Sequence, residues 1–200
     1  MKAIKALTRD PVMKALIKKY GELRMAENKD YFAGLARAVV SQQLSTKAAD
    51  TIWKRVAALW GGKITPQKFL SMPEGEIRQA GVSANKAGYM KNLARAVADK
   101  TIDFKKMRGF EDEEIIRQLT AIKGIGRWTA EMFLISGFAR EDVFSFGDGG
   151  LKSALNNLYG RGAPLTQEEM KSITDKWRPY RSLASLYLWR SLDNRQQEIK

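Results

Sequence analysis

Between Leu119 and Ala130 the chain reads LTAIKGIGRWTA. Apolar residues at helical spacing flank this segment, and two glycines, Gly124 and Gly126, stand two residues apart within it. Glycine tolerates positive φ and leaves no side chain between the backbone and an approaching group. The pattern therefore predicts a helix that ends, a tight turn, and a second helix that begins directly after the turn.

A hairpin of this kind can bind an anion, because the first amides of its second helix have no acceptor inside the helix. These amides lie at the positive end of the helix dipole and can hold a phosphate group. Such a contact grips a nucleic-acid backbone without reading its sequence. The plain alternative is a tight connection between two packed helices.

The rest of the chain also has helical periodicity. Ser45, Thr65 (followed by a proline) and Ser83 are predicted helix N-caps, and Thr166 with Glu169 forms a predicted capping box. No segment has the alternating pattern of a strand. We therefore expect an all-α fold with about ten helices.

The composition restricts the chemistry that is available. The chain has no cysteine and no histidine, which excludes disulfides, iron–sulfur clusters, thiolate zinc sites and catalysis by a histidine triad. Lys and Arg number 35 against 22 Asp and Glu, a formal net charge of +13. This charge favours a polyanionic partner such as nucleic acid. A basic surface that serves only solubility would have the same composition.

Membrane and secretion signals are missing from the sequence. No apolar run approaches the ~18 residues of a membrane span, and the N-terminus lacks the apolar core of a secretion signal. We therefore expect an intracellular protein of the cytoplasm or nucleoid that does not contact membranes. We also expect a monomer.

Two further segments, taken with the hairpin, resemble a known family. Val40–Ala49 reads VSQQLSTKAA and Trp177–Ala184 reads WRPYRSLA. With the GIGRWTA run, they resemble the helix-hairpin-helix DNA glycosylases, in particular the 3-methyladenine glycosylase II (alkylbase) branch. The resemblance covers roughly Asp30 to Leu192. It implies the minimal form of the fold, without the N-terminal β domain of some members.

The resemblance implies two helical lobes that flank an active-site cleft. We expect one domain over residues 1–200, with the hairpin at about 113–137 and the lobes at about 30–108 and 109–192. The N-terminal segment is expected to pack with the C-terminal lobe.

The implied activity is that of a monofunctional DNA glycosylase in base excision repair. Such an enzyme flips an alkylated purine out of damaged double-stranded DNA and hydrolyses its N-glycosidic bond, leaving an abasic site. The family's catalytic aspartate corresponds to Asp148, which ends the segment VFSFGD. A fixed carboxylate stabilises the positive charge that develops on the sugar and can orient the attacking water. Without the resemblance, Asp148 would be read as a helix N-cap.

The resemblance also implies the remaining site residues. Aromatic faces hold a cationic base by stacking and cation–π attraction, although an apolar-face tryptophan is normally core. The expected base pocket consists of Trp128, Trp189, Tyr180 and Met132, with Tyr187 as a further candidate. The expected DNA-binding residues are Lys123, Gly124, Ile125, Gly126, Arg127, Thr129, Gln42 and Gln43. Gln43 is the first choice, and Gln42 the second, for the side chain that fills the gap in the duplex.

No cofactor is expected. A structural Na⁺ or K⁺ at the hairpin would be held by the backbone carbonyls of Thr120, Ile122 and Ile125. Four residues depart from the family pattern. Lys123 replaces a common proline, Gly149 and Gly150 follow the aspartate where relatives have a bulky residue, and Met132 replaces an aromatic pocket residue.

Two alternatives remain open at this point. A non-catalytic helix-hairpin-helix module would need the same hairpin. A bifunctional glycosylase/lyase would need a lysine nucleophile directly after the G-x-G-R sequence, where this chain has Trp128.

Overall fold

The computed structural model describes residues 2–62, 64–160 and 162–198, and over these residues it contains α-helices and no strands. None of these helices is both long enough and apolar enough to span a bilayer. The thirteen helices are α1 (Lys2–Leu7), α2 (Pro11–Tyr20), α3 (Tyr31–Ser41), α4 (Thr46–Leu59), α5 (Pro66–Ser71), α6 (Glu74–Gln79), α7 (Ala84–Ala98), α8 (Phe104–Met107), α9 (Asp112–Thr120), α10 (Arg127–Ser136), α11 (Gly149–Tyr159), α12 (Gln167–Asp175) and α13 (Arg181–Glu198).

The all-α class is confirmed, and three helices exceed the expected number. These are α1, α2 and α8. The first has six residues and the last has four, so each is too short to produce a recognisable apolar repeat. In contrast, α2 has a clear start signal, because the Asp10 side chain caps it and Pro11 is its first residue.

The predicted helix starts are confirmed. The side chains of Ser45, Thr65 and Ser83 each accept a hydrogen bond from the amide three residues ahead. Thr166 and Glu169 form the reciprocal bonds of a capping box. Each cap contributes about 1 kcal/mol, so these local signals fix where the helices begin before any packing is considered.

The chain divides into two compact units. Unit 1 consists of Met1–Ala26 together with Ala139–Lys200, and unit 2 is Glu27–Phe138. The hairpin therefore groups with the residues before it, whereas a boundary near residue 108 was expected. The reason is packing: α10 lies against α3 and α9, and the Phe133 ring contacts that of Phe138 at a centroid distance of 4.7 Å.

The core of unit 2 lies around α3 and α10. Leu35, Ala36 and Val39 on α3 are fully buried. The rings of Tyr31 and Phe104 extend this core, and their centroids are 5.7 Å apart. α7 packs against both α3 and α5, so one face of α7 lies beside the element that leads into the 41–45 loop.

The core of unit 1 lies around α13, which packs against α2 and α11. Asp10 is a polar junction within it, because its carboxylate accepts hydrogen bonds from the hydroxyl of Tyr159 and the indole of Trp177, all at 3.1 Å. Burial, and after it the Asp10 charge, raises the pKa of the Tyr159 hydroxyl. The junction holds α2 and α11 in position around Trp177, which is 1% exposed.

Candidate functional site

The structure requires glycine at only one of the two glycine positions of the hairpin. Gly124 has a φ of +102°, and a Cβ here would overlap the ring of Tyr89 on α7. The backbone angle and the lack of space both require glycine. Gly126 has an ordinary φ of −90°, and a Cβ would meet no atom within 4 Å. Nothing in the described chain requires glycine at 126, so its missing side chain leaves the surface before α10 open.

The start of α10 offers hydrogen-bond donors at this open surface. Within residues 2–62, 64–160 and 162–198, the amides of Gly126 and Arg127 find no acceptor. Lys123 is exposed in the turn, and its carbonyl oxygen accepts a bond of 3.2 Å from Asn92. Unsatisfied amides at the positive end of a helix, close in sequence to a lysine, are suited to bind an anion.

The Arg127 side chain is engaged within the protein. Its Nη2 and Nη1 atoms donate to Glu113 at 2.5 and 3.0 Å, and its Nε donates to Glu131 at 2.9 Å. The hydrogen bonds to Glu113 raise the pKa of Arg127, and the Arg127 bond lowers the pKa of Glu113. This geometry favours a brace between α9 and α10 over the phosphate contact expected from the sequence, because these guanidinium donors are already used.

Thr129 and Gln42 form a second internal contact of the hairpin. The Gln42 Nε2 atom donates to the Gly124 carbonyl and to the Thr129 hydroxyl, both at 3.0 Å. Thr129 is only 1% exposed. Both residues are predicted DNA contacts, and that role stays a prediction. Within the protein, the Thr129 hydroxyl is buried against Gln42, and the Gln42 side-chain amide joins the 41–45 loop to the hairpin.

Gln43 differs from its neighbour in conformation and exposure. It is one of three described non-glycine residues with positive φ, at 55°, a conformation that costs about 1 kcal/mol or more. Its side chain is exposed, and Leu44 beside it is 38% exposed. Of the two glutamines, Gln43 is thus the one that the loop presents to the outside.

The two pocket candidates of unit 2 share a face of α10. Trp128 and Met132 are four residues apart and half-buried, whereas Thr129, Ala130 and Phe133 point into the core. Both side chains remain accessible from one side of the helix. Their role as pocket walls stays a prediction.

Asp148 in unit 1 combines two functions of a carboxylate. It is the N-cap of α11, and its Oδ1 accepts the Leu151 amide at 2.7 Å. The same oxygen accepts the indole Nε1 of Trp189 at 3.0 Å. Asp148 is 8% exposed. The N-cap reading and the catalytic reading are therefore compatible, because the cap fixes the carboxylate at one orientation.

Gly150 leaves room for the close approach of Trp189 to Asp148. A Cβ at Gly150 would lie 3.1 Å from Asp148 Oδ1, 3.3 Å from Trp189 Cδ1 and 3.4 Å from Trp189 Nε1. A Cβ at Gly149 would meet nothing within 4 Å. Of the two glycines that depart from the family pattern, the second is the one that packs against the carboxylate and the indole.

The WRPYRSLA segment anchors the chain that leads to Asp148. Arg181 donates through Nε to the Asp142 carboxylate at 2.7 Å, and Arg178 donates to the same carboxylate at 2.6 Å. The Ser182 hydroxyl accepts from the Val143 amide at 2.9 Å. This family segment therefore has a structural role, which is to hold the irregular segment that leads to the aspartate against α13.

The two tyrosines of unit 1 have different surroundings. Tyr180 is half-buried and lines a cavity of about 380 Å³ together with Met25, Leu183 and seven other residues. Tyr187 is fully buried, and its hydroxyl donates to the Gly21 carbonyl at 2.8 Å and accepts from the Leu23 amide at 2.9 Å. Tyr187 is therefore a core residue, and its candidacy for the pocket was wrong.

The backbone carbonyls of Thr120, Ile122 and Ile125, predicted to hold a cation, differ in their existing hydrogen bonds. In the described part of the chain, the Thr120 and Ile125 carbonyls have no donor, and the Ile122 carbonyl accepts only the Ile125 amide at 3.0 Å. Since a carbonyl oxygen has two lone pairs, all three oxygens have capacity left. Carbonyl oxygens are ligands that hard cations accept, so the donor set fits.

Sequence reasoning missed one face of α7. Lys86, Tyr89 and Asn92 follow at three-residue intervals, and each contacts the 41–45 loop or the hairpin. The spacing that places them on one helix face was visible. The sequence did not show what that face contacts.

The chain is similar to known proteins over most of its length. The HhH-GPD pattern, described as that of the HhH-GPD superfamily of base excision DNA repair proteins, matches residues 36–179. The DNA-3-methyladenine glycosylase 1 of Schizosaccharomyces pombe is 34% identical over 179 residues, which are 88% of this chain and 78% of the relative. The DNA-3-methyladenine glycosylase of Saccharomyces cerevisiae is 33% identical, and the match covers 80% of this chain and 66% of that protein.

A solved structure supports the same relationship. The 3-methyladenine DNA glycosylase of Schizosaccharomyces pombe in complex with abasic DNA superposes with a TM-score of 0.88 at 32% identity. The match covers 95% of this chain and 96% of the other.

Proposed function

The chain belongs to the HhH-GPD superfamily of base excision DNA repair proteins, and from this premise we propose that it is a monofunctional glycosylase that removes alkylated purines from duplex DNA. The observation that carries the proposal is the environment of Asp148. A nearly buried carboxylate, fixed by the Leu151 amide and the Trp189 indole through one oxygen, is suited to face a developing cation.

The proposed reaction is hydrolysis of the C1′–N bond. The bond electrons leave with the base, and the sugar acquires positive charge that the Asp148 carboxylate stabilises. Water oxygen bonds to C1′, and the water proton passes to the carboxylate or to solvent. A base that is already cationic departs as a neutral molecule. Strong protonation of the leaving group is then unnecessary, in keeping with a chain that has no histidine.

The hairpin is proposed to hold the DNA backbone. The amides of Gly126 and Arg127 and the charge of Lys123 would contact a phosphate, while the open position at Gly126 lets the backbone come close. The net charge of +13 adds a sequence-independent attraction to DNA. Ile125 contributes through its backbone, since its side chain is 4% exposed.

We assign Gln43 to the gap that base flipping leaves in the duplex, because it is exposed and its neighbour Gln42 is engaged with the hairpin. The assignment of Trp128, Met132, Tyr180 and Trp189 to the walls of the base pocket rests on the family resemblance. Half-burial of each of these side chains agrees with it.

A monovalent cation is proposed at the carbonyls of Thr120, Ile122 and Ile125. When bound, such a cation would supply positive charge to a nearby phosphate. The residues themselves shape the turn that ends at Gly126.

The activity is proposed to be monofunctional, because Trp128 stands where a lyase has its lysine nucleophile. Its place of action is proposed to be cellular DNA in the cytoplasm or nucleoid, and its active form a monomer.

The test measures methylpurine release from duplex DNA treated with a methylating agent, with wild type beside Asp148→Asn. Asparagine is also a good N-cap, so this variant keeps the start of α11 and removes only the charge. Release by wild type alone, with strand breaks appearing only after alkali, is the expected result. Intact DNA binding without release from any methylated substrate would favour the non-catalytic module, and covalent trapping by borohydride would identify a lyase.

A further inference from the structure

Lys86 lies in the first turn of α7 and reaches the end of α3. Its Nζ donates to the Val40 carbonyl at 2.8 Å and to the Gln42 carbonyl at 2.7 Å. The Lys86 side chain is half-buried, and this burial lowers the pKa of its ammonium group. These two hydrogen bonds therefore replace water for a lysine, a residue type that normally stays at the surface.

The position of Lys86 follows from the carbonyls at the end of α3. The last carbonyls of a helix have no partner inside it and lie at its negative end. The Val39 carbonyl accepts the Gln42 amide at 3.3 Å, and the Ser41 carbonyl accepts the Leu44 amide at 3.2 Å. The carbonyl oxygens of Val40 and Gln42 accept hydrogen bonds from the Lys86 ammonium group.

Gln42 is consequently held from two sides. Its carbonyl is bonded by Lys86, and its side-chain amide is bonded to Gly124 and Thr129 of the hairpin. The next residue, Gln43, has the costly positive φ and is exposed. A residue in that conformation persists where the surrounding contacts determine it.

We propose that Lys86 is a positioning residue for DNA entry, which holds the 41–45 loop in the conformation that presents Gln43 to the duplex. This inference rests on the proposed function. Lys86 acts through the loop and does not itself contact the base or phosphate that the hairpin holds. Its loss should therefore impair filling of the gap and leave the hairpin's grip on the backbone nearly unchanged.

The experiment uses three variants of the full chain. Lys86→Met keeps the length and removes the donors, Lys86→Arg restores donors for two carbonyls, and Lys105→Met controls for one lost charge at an exposed position of α8. The probe is a duplex that contains a tetrahydrofuran abasic analogue next to 2-aminopurine. The fluorescence of 2-aminopurine reports whether a side chain has entered the stack, and a filter-binding titration gives Kd.

We expect Lys86→Met to lose most of the fluorescence change and to lower the single-turnover rate of methylpurine release about tenfold or more. Its Kd should stay within about threefold of the Lys105→Met value, as expected when one charge is removed. Lys86→Arg should recover both signals. If Lys86→Met does not fold, Lys86→Gln, which is too short to reach both carbonyls, takes its place with the same expected loss.

Full fluorescence change and full release rate in Lys86→Met would overturn the inference, as would equal loss in Lys105→Met. The proposed function has a separate outcome. If wild type releases no methylpurine but shows a fluorescence change that Lys86→Met loses, the glycosylase assignment fails and the positioning role of Lys86 is supported.

Discussion

Trp189 Nε1 and the Leu151 amide both donate to Oδ1 of Asp148, at 3.0 and 2.7 Å. One donor comes from α13 and the other from the helix that Asp148 caps. Trp189 was expected as an aromatic wall, and the structure adds a polar contact to that expectation. The indole and the amide together orient a carboxylate that is 8% exposed.

Trp189→Phe separates these two roles of the indole, since phenylalanine keeps an aromatic face and removes the donor. We expect the single-turnover rate of base release to fall about tenfold, because a hydrogen bond to a charged group contributes about 1.5–3 kcal/mol. DNA affinity should stay close to that of wild type. A Trp189→Phe enzyme with wild-type rate would show that the indole acts only as a wall.

Gly150→Ala and Gly149→Ala form a matched pair in the first turn of α11. The added methyl at 150 would crowd Asp148 Oδ1 and the Trp189 ring, whereas the methyl at 149 meets open space. Alanine in a helix is favoured over glycine by about 1 kcal/mol, so Gly149→Ala should raise the thermal midpoint and keep activity. Gly150→Ala should gain less stability and lose several-fold in rate. Equal rates in the two variants would contradict the crowding.

Lys123→Ala and Arg127→Ala should differ in the salt dependence of DNA binding. Lys123 is exposed in the turn, so its removal should lower the slope of log K against log salt by about one phosphate contact. The Arg127 guanidinium is hydrogen-bonded to Glu113 and Glu131. Its removal should therefore leave the salt slope unchanged and reduce the free energy of unfolding by about 1 kcal/mol. A reduced slope for Arg127→Ala would return it to the DNA interface.

Tyr159 should make stability depend on pH in the alkaline range. Burial raises its folded pKa above the ordinary value of 10.0, so the unfolded chain loses this proton first. The contribution of Tyr159 to the free energy of unfolding is therefore complete below about pH 10 and declines as the pH rises further. Tyr159→Phe should cost about 1 kcal/mol at pH 7, through the lost bonds to Asp10. The difference from wild type should narrow above pH 10 in urea unfolding, and a constant difference would exclude the linkage.

The helix starts were predicted correctly because their signals involve only residues close together in the sequence. Ser45, Thr65 and Ser83 cap the helices they were expected to cap, because a cap involves residues only a few positions apart. Asp10 with Pro11 carries the same kind of signal, and α2 was visible in the sequence although it was not predicted.

Roles that depend on distant contacts were harder to predict. The hairpin motif identified Arg127 and Thr129 as candidate site residues. Their side chains are hydrogen-bonded to residues that the motif does not contain, namely Glu113, 14 residues away, and Gln42, 87 residues away. Lys86 bonds a carbonyl 46 positions away. Periodicity gives the face on which a residue lies and does not give what the face meets.

The contact between Gly124 and Tyr89 limits how far the hairpin can be treated as a separate part. The turn leaves no room for a Cβ because a ring from α7 fills that room, and Asn92 and Gln42 bond the carbonyls on either side of it. A peptide of residues 119–130, or a graft of it into another protein, would carry the glycines without these supports. A graft of the hairpin into another protein must therefore include α7 and the 41–45 loop.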